Sequence, residues 1–319
     1  MVNSYINILL SLNTFILLLS DFIILLLQLG VLYIIIQIIS KWNFNSYTSF
    51  SFKLEDRSYF AMLIIYFTTI VKILLYPYFI YTLDTLSSIL PGAMCGAGVI
   101  SANIYGEKLL IFKTVVLFIG GIWIVINNLD IKQKHTYFMI NKSKIYLLLA
   151  FFLIIEFFYE INFFTHLSTI APVTCCSAIY STSTINPLPF HIDTFILLIL
   201  LYGSFIVTFY GNIKEKYLIS FFSSIFFIYI AYYAVIYFFG PYIYDLPTHH
   251  CPFCMLQKDY YFIGYFIFGS LFLGVFYGIL NFILKITINK TIKKYYLLSN
   301  IFLVFFIILT ASYTIGSDL

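Results

Sequence analysis

The chain has 319 residues, of which 62% are apolar and only 9% charged, whereas a soluble globular domain carries about 25% charged residues. That balance excludes an ordinary soluble domain and predicts a helical protein embedded in a lipid bilayer. The formal charge of +4 comes from lysines scattered among short connections, so no basic patch is expected for a nucleic-acid partner.

The first apolar run covers Tyr5 to Ile39 and is interrupted by Asn7, Asn13, Asp21 and Gln28. About 20 residues cross the hydrocarbon, so this run reads either as one long tilted helix or as an interfacial helix leading into a span from Leu18 to Ile39. Its N-terminus lacks the basic segment and small-residue site of a cleavable signal peptide. A polar connection, Lys41 to Arg57, precedes a second span from Tyr59 to Leu83. The loop Asp84 to Gly106 contains P-G-A-M-C-G-A-G and reads as a close-packed re-entrant or lid loop. Leu109 to Asn127 is the third span, and a basic loop leads to the fourth, Ile145 to Phe164.

The loop His166 to His191 carries adjacent Cys175 and Cys176. Phe195 to Tyr210 and Tyr217 to Phe239 are the fifth and sixth spans. A segment rich in cysteine and histidine, residues 240–258, separates them from Tyr260 to Leu284 and Tyr295 to Ser312, the last two. Gly274 and Gly278 set a small-residue face on the seventh helix for close packing. The expected fold class is an all-α polytopic membrane protein, one transmembrane domain over residues 1–319 with about eight spans.

Basic residues set orientation, because cytoplasmic loops are enriched in them. Of the 17 basic residues, thirteen fall in every second connection: Lys41, Lys53, Arg57, Lys132, Lys134, Lys142, Lys144, Lys214, Lys216, Lys285, Lys290, Lys293 and Lys294. Those connections are assigned to the cytoplasm, and both termini are expected to be extracytoplasmic. All five cysteines then fall in the outer loops 84–106, 166–191 and 240–258, as do His166, His191, His249 and His250; only His135 lies with the basic loops. The expected location is a bacterial cytoplasmic (inner) membrane with these loops facing the periplasm or exterior.

Charges inside the spans are costly and normally face the bundle interior, where they pair or carry function. Asp21, Lys72, Lys113, Glu156 and Glu160 are of this kind, and the spacing of the two glutamates puts both on one helix face. They are read as a polar layer in which Lys72 or Lys113 faces Glu156 or Glu160. An ion-pair lock between helices, a proton path and the floor of a ligand pocket are the alternatives. Snorkelling to the headgroups is a further one for Lys113 and Asp21.

The densest chemistry is D-L-P-T-H-H-C-P-F-C-M-L-Q-K, residues 245–258. A C-x-x-C can hold a disulfide, exchange it with a partner thiol, or ligate a metal. Placed at the start of the seventh span, its thiols are expected near the positive end of a helix dipole, which favours thiolate. His249 or His250 can stabilise that thiolate or act as a base.

Cys251-Pro-Phe-Cys254-Met-Leu-Gln257-Lys258 resembles the C-x-x-C-x-x-Q-R motif of the DsbB/BdbC group of quinone-linked thiol oxidases. The resemblance implies that Cys251 and Cys254 are reoxidised by a membrane quinone. It places Gln257 at the motif's glutamine and Lys258 at its arginine, as candidate quinone-side residues. It further implies transfer of oxidising power through a second cysteine pair to a soluble, periplasmic thioredoxin-like partner. Candidate catalytic residues are Cys251, Cys254, Cys175, Cys176, Cys95 and His250.

The same inventory admits a different chemistry. Met94, Cys95, Cys175, Cys176, His249, His250, Cys251, Cys254 and Met255 suit Cu(I), and subsets with two cysteines and two histidines suit zinc. Adjacent Cys175 and Cys176 fit thiolate ligation better than a strained vicinal disulfide. On that reading the protein binds, delivers or transports copper or zinc, with a copper-carrier partner. A third alternative is a structural subunit whose outer loops are stapled by disulfides.

Overall fold

The structure is a computed structural model, and it describes residues 8–42, 48–133, 138–173, 193–247 and 249–316. Every regular element among the described residues is helical. Eight of the helices are long and apolar enough to cross a membrane, which supports a multi-pass membrane protein. Their outward faces carry exposed leucine, isoleucine and phenylalanine, among them Phe60, Phe67, Phe158 and Ile206, a surface suited to lipid. The chain divides into two compact units, Met1–Val173 and Thr174–Leu319.

In the first unit α1 spans Leu12–Lys41, α2 Ser49–Ser87, α3 Gly96–Ile100, α4 Gly106–Ile131 and α5 Met139–Thr165. The 30 residues of α1 make one continuous helix of about 45 Å, so the described part of the first apolar run resolves to a single long span. Helix α2 begins ten residues before the expected start at Tyr59. Thr48 explains this: its hydroxyl accepts the backbone N–H of Ser51, capping a first turn that then runs through Phe50, Phe52 and Leu54. Pro77 lies inside α2, as proline can in a spanning helix whose freed carbonyl finds other partners.

Helices α1, α2, α4 and α5 form a ring of neighbours: α1 packs on α2 and α5, and α4 packs on α5 and α2. Their shared core contains Ile35, Ile65, Val116, Trp123, Tyr146 and Leu153. Polar ends of the aromatic residues are satisfied within it, since Trp123 Nε1 donates to Lys142 O at 3.1 Å and Tyr146 Oη donates to Gln28 O at 2.5 Å. The Gly-rich loop is pinned by backbone, with Val173 N donating to Pro91 O at 2.9 Å. Gly92, at φ +84°, leaves no room for a Cβ beside Val173 O, so only glycine suits this close approach. Cys95 caps α3, a single buried turn.

In the second unit α6 spans Thr194–Ile213 and α7 Tyr217–Ala234, continuing through a π-helical turn, Val235–Phe239, into α8, Gly240–Tyr244. After the cysteine segment come α9, Ile263–Ile288, and α10, Lys293–Gly316. Here too the four long helices form a ring, α6 on α7, α7 on α9, α9 on α10 and α10 on α6. Neutral polar groups tie them together: Asn212 Nδ2 donates to Ser299 Oγ at 3.0 Å and Asn300 Oδ1 at 2.8 Å, and Ser220 Oγ donates to Asn212 Oδ1 at 2.5 Å. Gly278 faces Ser224 and Ser299, and Gly274 faces Leu303, so the small-residue face of α9 brings neighbouring helices close.

Two boundaries depart from the sequence reading. The sixth span does not stop at Phe239: residues 240–244, expected in a loop, are helical, and the helix widens just before them. Pro241 is the physical cause, because a proline lacks an N–H and its ring crowds the carbonyl four residues earlier, which a π turn relieves. The Gly240 N–H accordingly reaches back to Val235 O. The seventh span begins at Ile263 rather than Tyr260, because Tyr261 and Phe262 both take left-handed backbone conformations that break helical continuity.

Candidate functional site

In the second unit the C-x-x-C is held between the end of α8 and the first turn of α9. Cys254 opens a short 3-10 turn, Cys254–Leu256, and a second follows at Lys258–Tyr260, with Gln257 extended between them. The thiol pair was expected at the start of the seventh span; in the chain, eight residues stand between Cys254 and Ile263, the first residue of α9. The Cys254–Leu256 turn nevertheless packs on the first turn of α9, through Met255 and Leu256 against Gly264.

Cys251, Cys254 and Met255 are all buried, and the Sγ atoms of the two cysteines lie within 4.8 Å of one another. No disulfide forms among the described residues; Cys251 and Cys254 are present as thiols. Tyr244, the last residue of α8, fixes the segment at two points. Its hydroxyl donates to the backbone carbonyl of Cys251 and accepts the Met255 N–H at 3.0 Å. One side chain thus clamps the backbone on both sides of Cys254. Gly264, in the first turn of α9, packs against Met255 and Leu256, where a Cβ would stand 2.7 Å from Met255 Cγ.

The two histidines take different partners. His249 stacks edge-on against Tyr244, ring centroids 4.3 Å apart, and its partial burial together with neighbouring His250 lowers its pKa below the ordinary 6.5. His250 lies against Tyr237, and its Nδ1 is 3.2 Å from Ile236 O. That carbonyl belongs to the π turn. The turn induced by Pro241 therefore presents a backbone acceptor to the residue next to Cys251, a placement consistent with the frequent occurrence of π turns at functional sites.

In the first unit the five intramembrane charges meet in one buried cluster. Lys72 Nζ is 2.7 Å from Asp21 Oδ1 and 2.9 Å from Glu156 Oε1. Lys113 Nζ is 2.9 Å from Asp21 Oδ2, 2.8 Å from Glu156 Oε1 and 3.1 Å from Glu160 Oε1, and it also sits over the Phe79 ring at 4.8 Å. Snorkelling is excluded for Lys113 and Asp21, which are only 4% and 2% exposed. A second buried pair, Lys142 with Asp130 at 2.7 Å, joins α5 to the end of α4.

Of the remaining candidates, Cys95 is buried at the start of α3, while Met94 and His166 are exposed. Cys175, Cys176, His135 and His191 lie outside the described residues. Tyr244 was not singled out by sequence reasoning; among 29 tyrosines nothing marks it except its position four residues after Gly240-Pro241. No protein-family model, curated protein or solved structure matches the chain.

Proposed function

We propose that the protein is a membrane thiol–disulfide oxidoreductase whose redox pair is Cys251 and Cys254. The observation that carries this reading is the pair of buried thiols with Sγ atoms within 4.8 Å, on a segment clamped at both sides of Cys254 by Tyr244. A modest movement brings the sulfurs to the bonding distance of about 2.05 Å.

In the forward exchange a thiolate of a substrate dithiol attacks one sulfur of the oxidised pair, forming a mixed disulfide. The second substrate thiolate displaces the enzyme thiolate, leaving the substrate disulfide and two enzyme thiols. A membrane quinone then takes two electrons and two protons from the thiols, giving quinol and restoring the disulfide. Gln257 and Lys258, between and within the two 3-10 turns, are the proposed quinone-side polar residues, and a soluble thioredoxin-like protein is the proposed dithiol. The lysine distribution supports placing this segment on the outer face of a bacterial inner membrane, where disulfides persist.

The same Sγ spacing suits two thiolate ligands to copper or zinc, with Met255 buried alongside. A disulfide map by mass spectrometry, with metal analysis of the same purified protein, separates the two chemistries. The redox reading predicts a Cys251–Cys254 bond that forms in oxidising buffer, opens in reductant and is accompanied by no metal. Stoichiometric copper or zinc that disappears in Cys251→Ser replaces it with the metal reading.

A further inference from the structure

The geometry points to a second site, independent of the thiols: the Asp21, Lys72, Lys113, Glu156 and Glu160 cluster binds an exchangeable proton, carried on Glu160, with a single-water cavity on the Lys113 side of the cluster as its route. Three carboxylates face two ammonium groups, which leaves one negative charge in excess. An unbalanced charge in a buried, membrane-spanning bundle is strongly disfavoured, and one proton removes it. The titratable groups facing the cluster are Asp21 from α1, Lys72 and Tyr76 from α2, Lys113 from α4, and Glu156 and Glu160 from α5. Tyr76 shares its hydroxyl with Thr114 at 3.0 Å.

Position within the cluster selects the carrier. Asp21 and Glu156 each meet both lysines, whereas Glu160 meets Lys113 alone, through Oε1 at 3.1 Å. Glu160 Oε2 is buried with no hydrogen-bond partner, and a carboxylate oxygen of Asp21 lies within 4.8 Å of one of Glu160. Protonation of Glu160 therefore costs the fewest ionic contacts and supplies a donor next to Asp21.

A separate observation supplies the route. A cavity of about 20 Å³ adjoins the cluster, lined by Lys72, Lys113, Glu156, Gln28 and Thr69, and that volume suffices for one water. Gln28 Oε1 and Thr69 Oγ1 are buried on this lining with no hydrogen-bond partner in the protein. A water there adjoins Lys72, Lys113 and Glu156, and Lys113 in turn contacts Glu160 Oε1 at 3.1 Å. A divalent cation does not fit the charge count, because the two lysine ammonium groups already supply two positive charges among these carboxylates.

Infrared spectroscopy of the full-length protein in detergent tests the assignment. At neutral pH one protonated-carboxyl band is expected, shifted by ¹³C-glutamate labelling and by transfer to D₂O. Glu160→Gln is expected to lose the band and keep a melting temperature close to that of the unaltered protein. Asp21→Asn is expected to lower the melting temperature clearly. Thr69→Val, which removes one polar partner of the water at nearly constant volume, is expected to keep the band and slow its shift in D₂O. Absence of the band in the unaltered protein, or its persistence in Glu160→Gln, overturns the proton assignment. Stabilisation by sodium but not choline chloride overturns it in favour of a sodium ion, and unchanged exchange in Thr69→Val overturns the water route.

Discussion

The Tyr244 hydroxyl donates to the carbonyl of Cys251, and the same oxygen accepts the Met255 N–H, so a residue in the last turn of a spanning helix sets the conformation of the C-x-x-C. Two backbone groups in a buried segment that has no regular helix of its own are satisfied by one side chain. Tyr244→Phe leaves both unsatisfied, at roughly 1–3 kcal/mol for each buried group. The loosened segment is expected to let maleimide react with Cys251 and Cys254 several-fold faster, on the order set by about 1 kcal/mol, with the helices intact by circular dichroism. Unchanged alkylation kinetics count against the clamp.

Removing a lysine from the buried cluster is far more damaging than removing one from the surface. Lys113→Met deletes contacts to Asp21, Glu156 and Glu160 and leaves one buried carboxylate charge uncompensated, at about 3–5 kcal/mol. Lys293→Met loses only an exposed contact to Glu215 at 3.6 Å and is expected to be nearly silent, within about 1 kcal/mol. Melting temperatures of the two variants in one detergent make the comparison.

Helix packing in the second unit is tested by a pair of glycines on the same helix. Gly278→Ala places a methyl against Ser224 and Ser299, whereas Gly269→Ala meets nothing within 4 Å. Overpacking typically costs about 1–3 kcal/mol. Gly278→Ala is therefore expected to lower the melting temperature and Gly269→Ala to leave it unchanged or slightly raised.

The eight spanning helices were legible in the sequence because apolar runs of spanning length record helices directly, whereas their grouping into two rings was not. Helix existence is not helix rotation, however. The spacing of Glu156 and Glu160 placed them on one face, yet only packing of α1 against α2 and α5 brought Asp21 between the lysines. The early start of α2 had a readable signal in Thr48 with Ser51 three residues on, and the π turn had one in Gly240-Pro241. The left-handed pair Tyr261 and Phe262 had none, since aromatic residues rarely adopt that backbone. This is why the seventh span was expected to start at Tyr260 rather than at Ile263.

His249 gives the cysteine segment a predictable response to acid. Its pKa is lowered by burial and by His250, so between the folded value and the ordinary 6.5 the unfolded chain binds the proton more readily. Stability from this group is thus complete above pH 6.5 and is lost as pH falls through that window. Replacing it with a side chain that does not titrate, as in His249→Gln, is expected to flatten the fall in melting temperature between neutral and mildly acidic buffer. An identical acid dependence in the variant places the sensitivity elsewhere.

The most direct measurement is a redox titration of Cys251 and Cys254 in the full-length protein, equilibrated in graded glutathione buffers, acid-quenched and read by differential alkylation and mass spectrometry. A redox-active pair is predicted to interconvert with a midpoint between about −120 and −270 mV, the range of catalytic dithiols, and Cys254→Ser is predicted to abolish the transition. Thiols that stay reduced across the whole series, or a bond that opens only below about −300 mV as structural disulfides do, would contradict the proposed exchange chemistry.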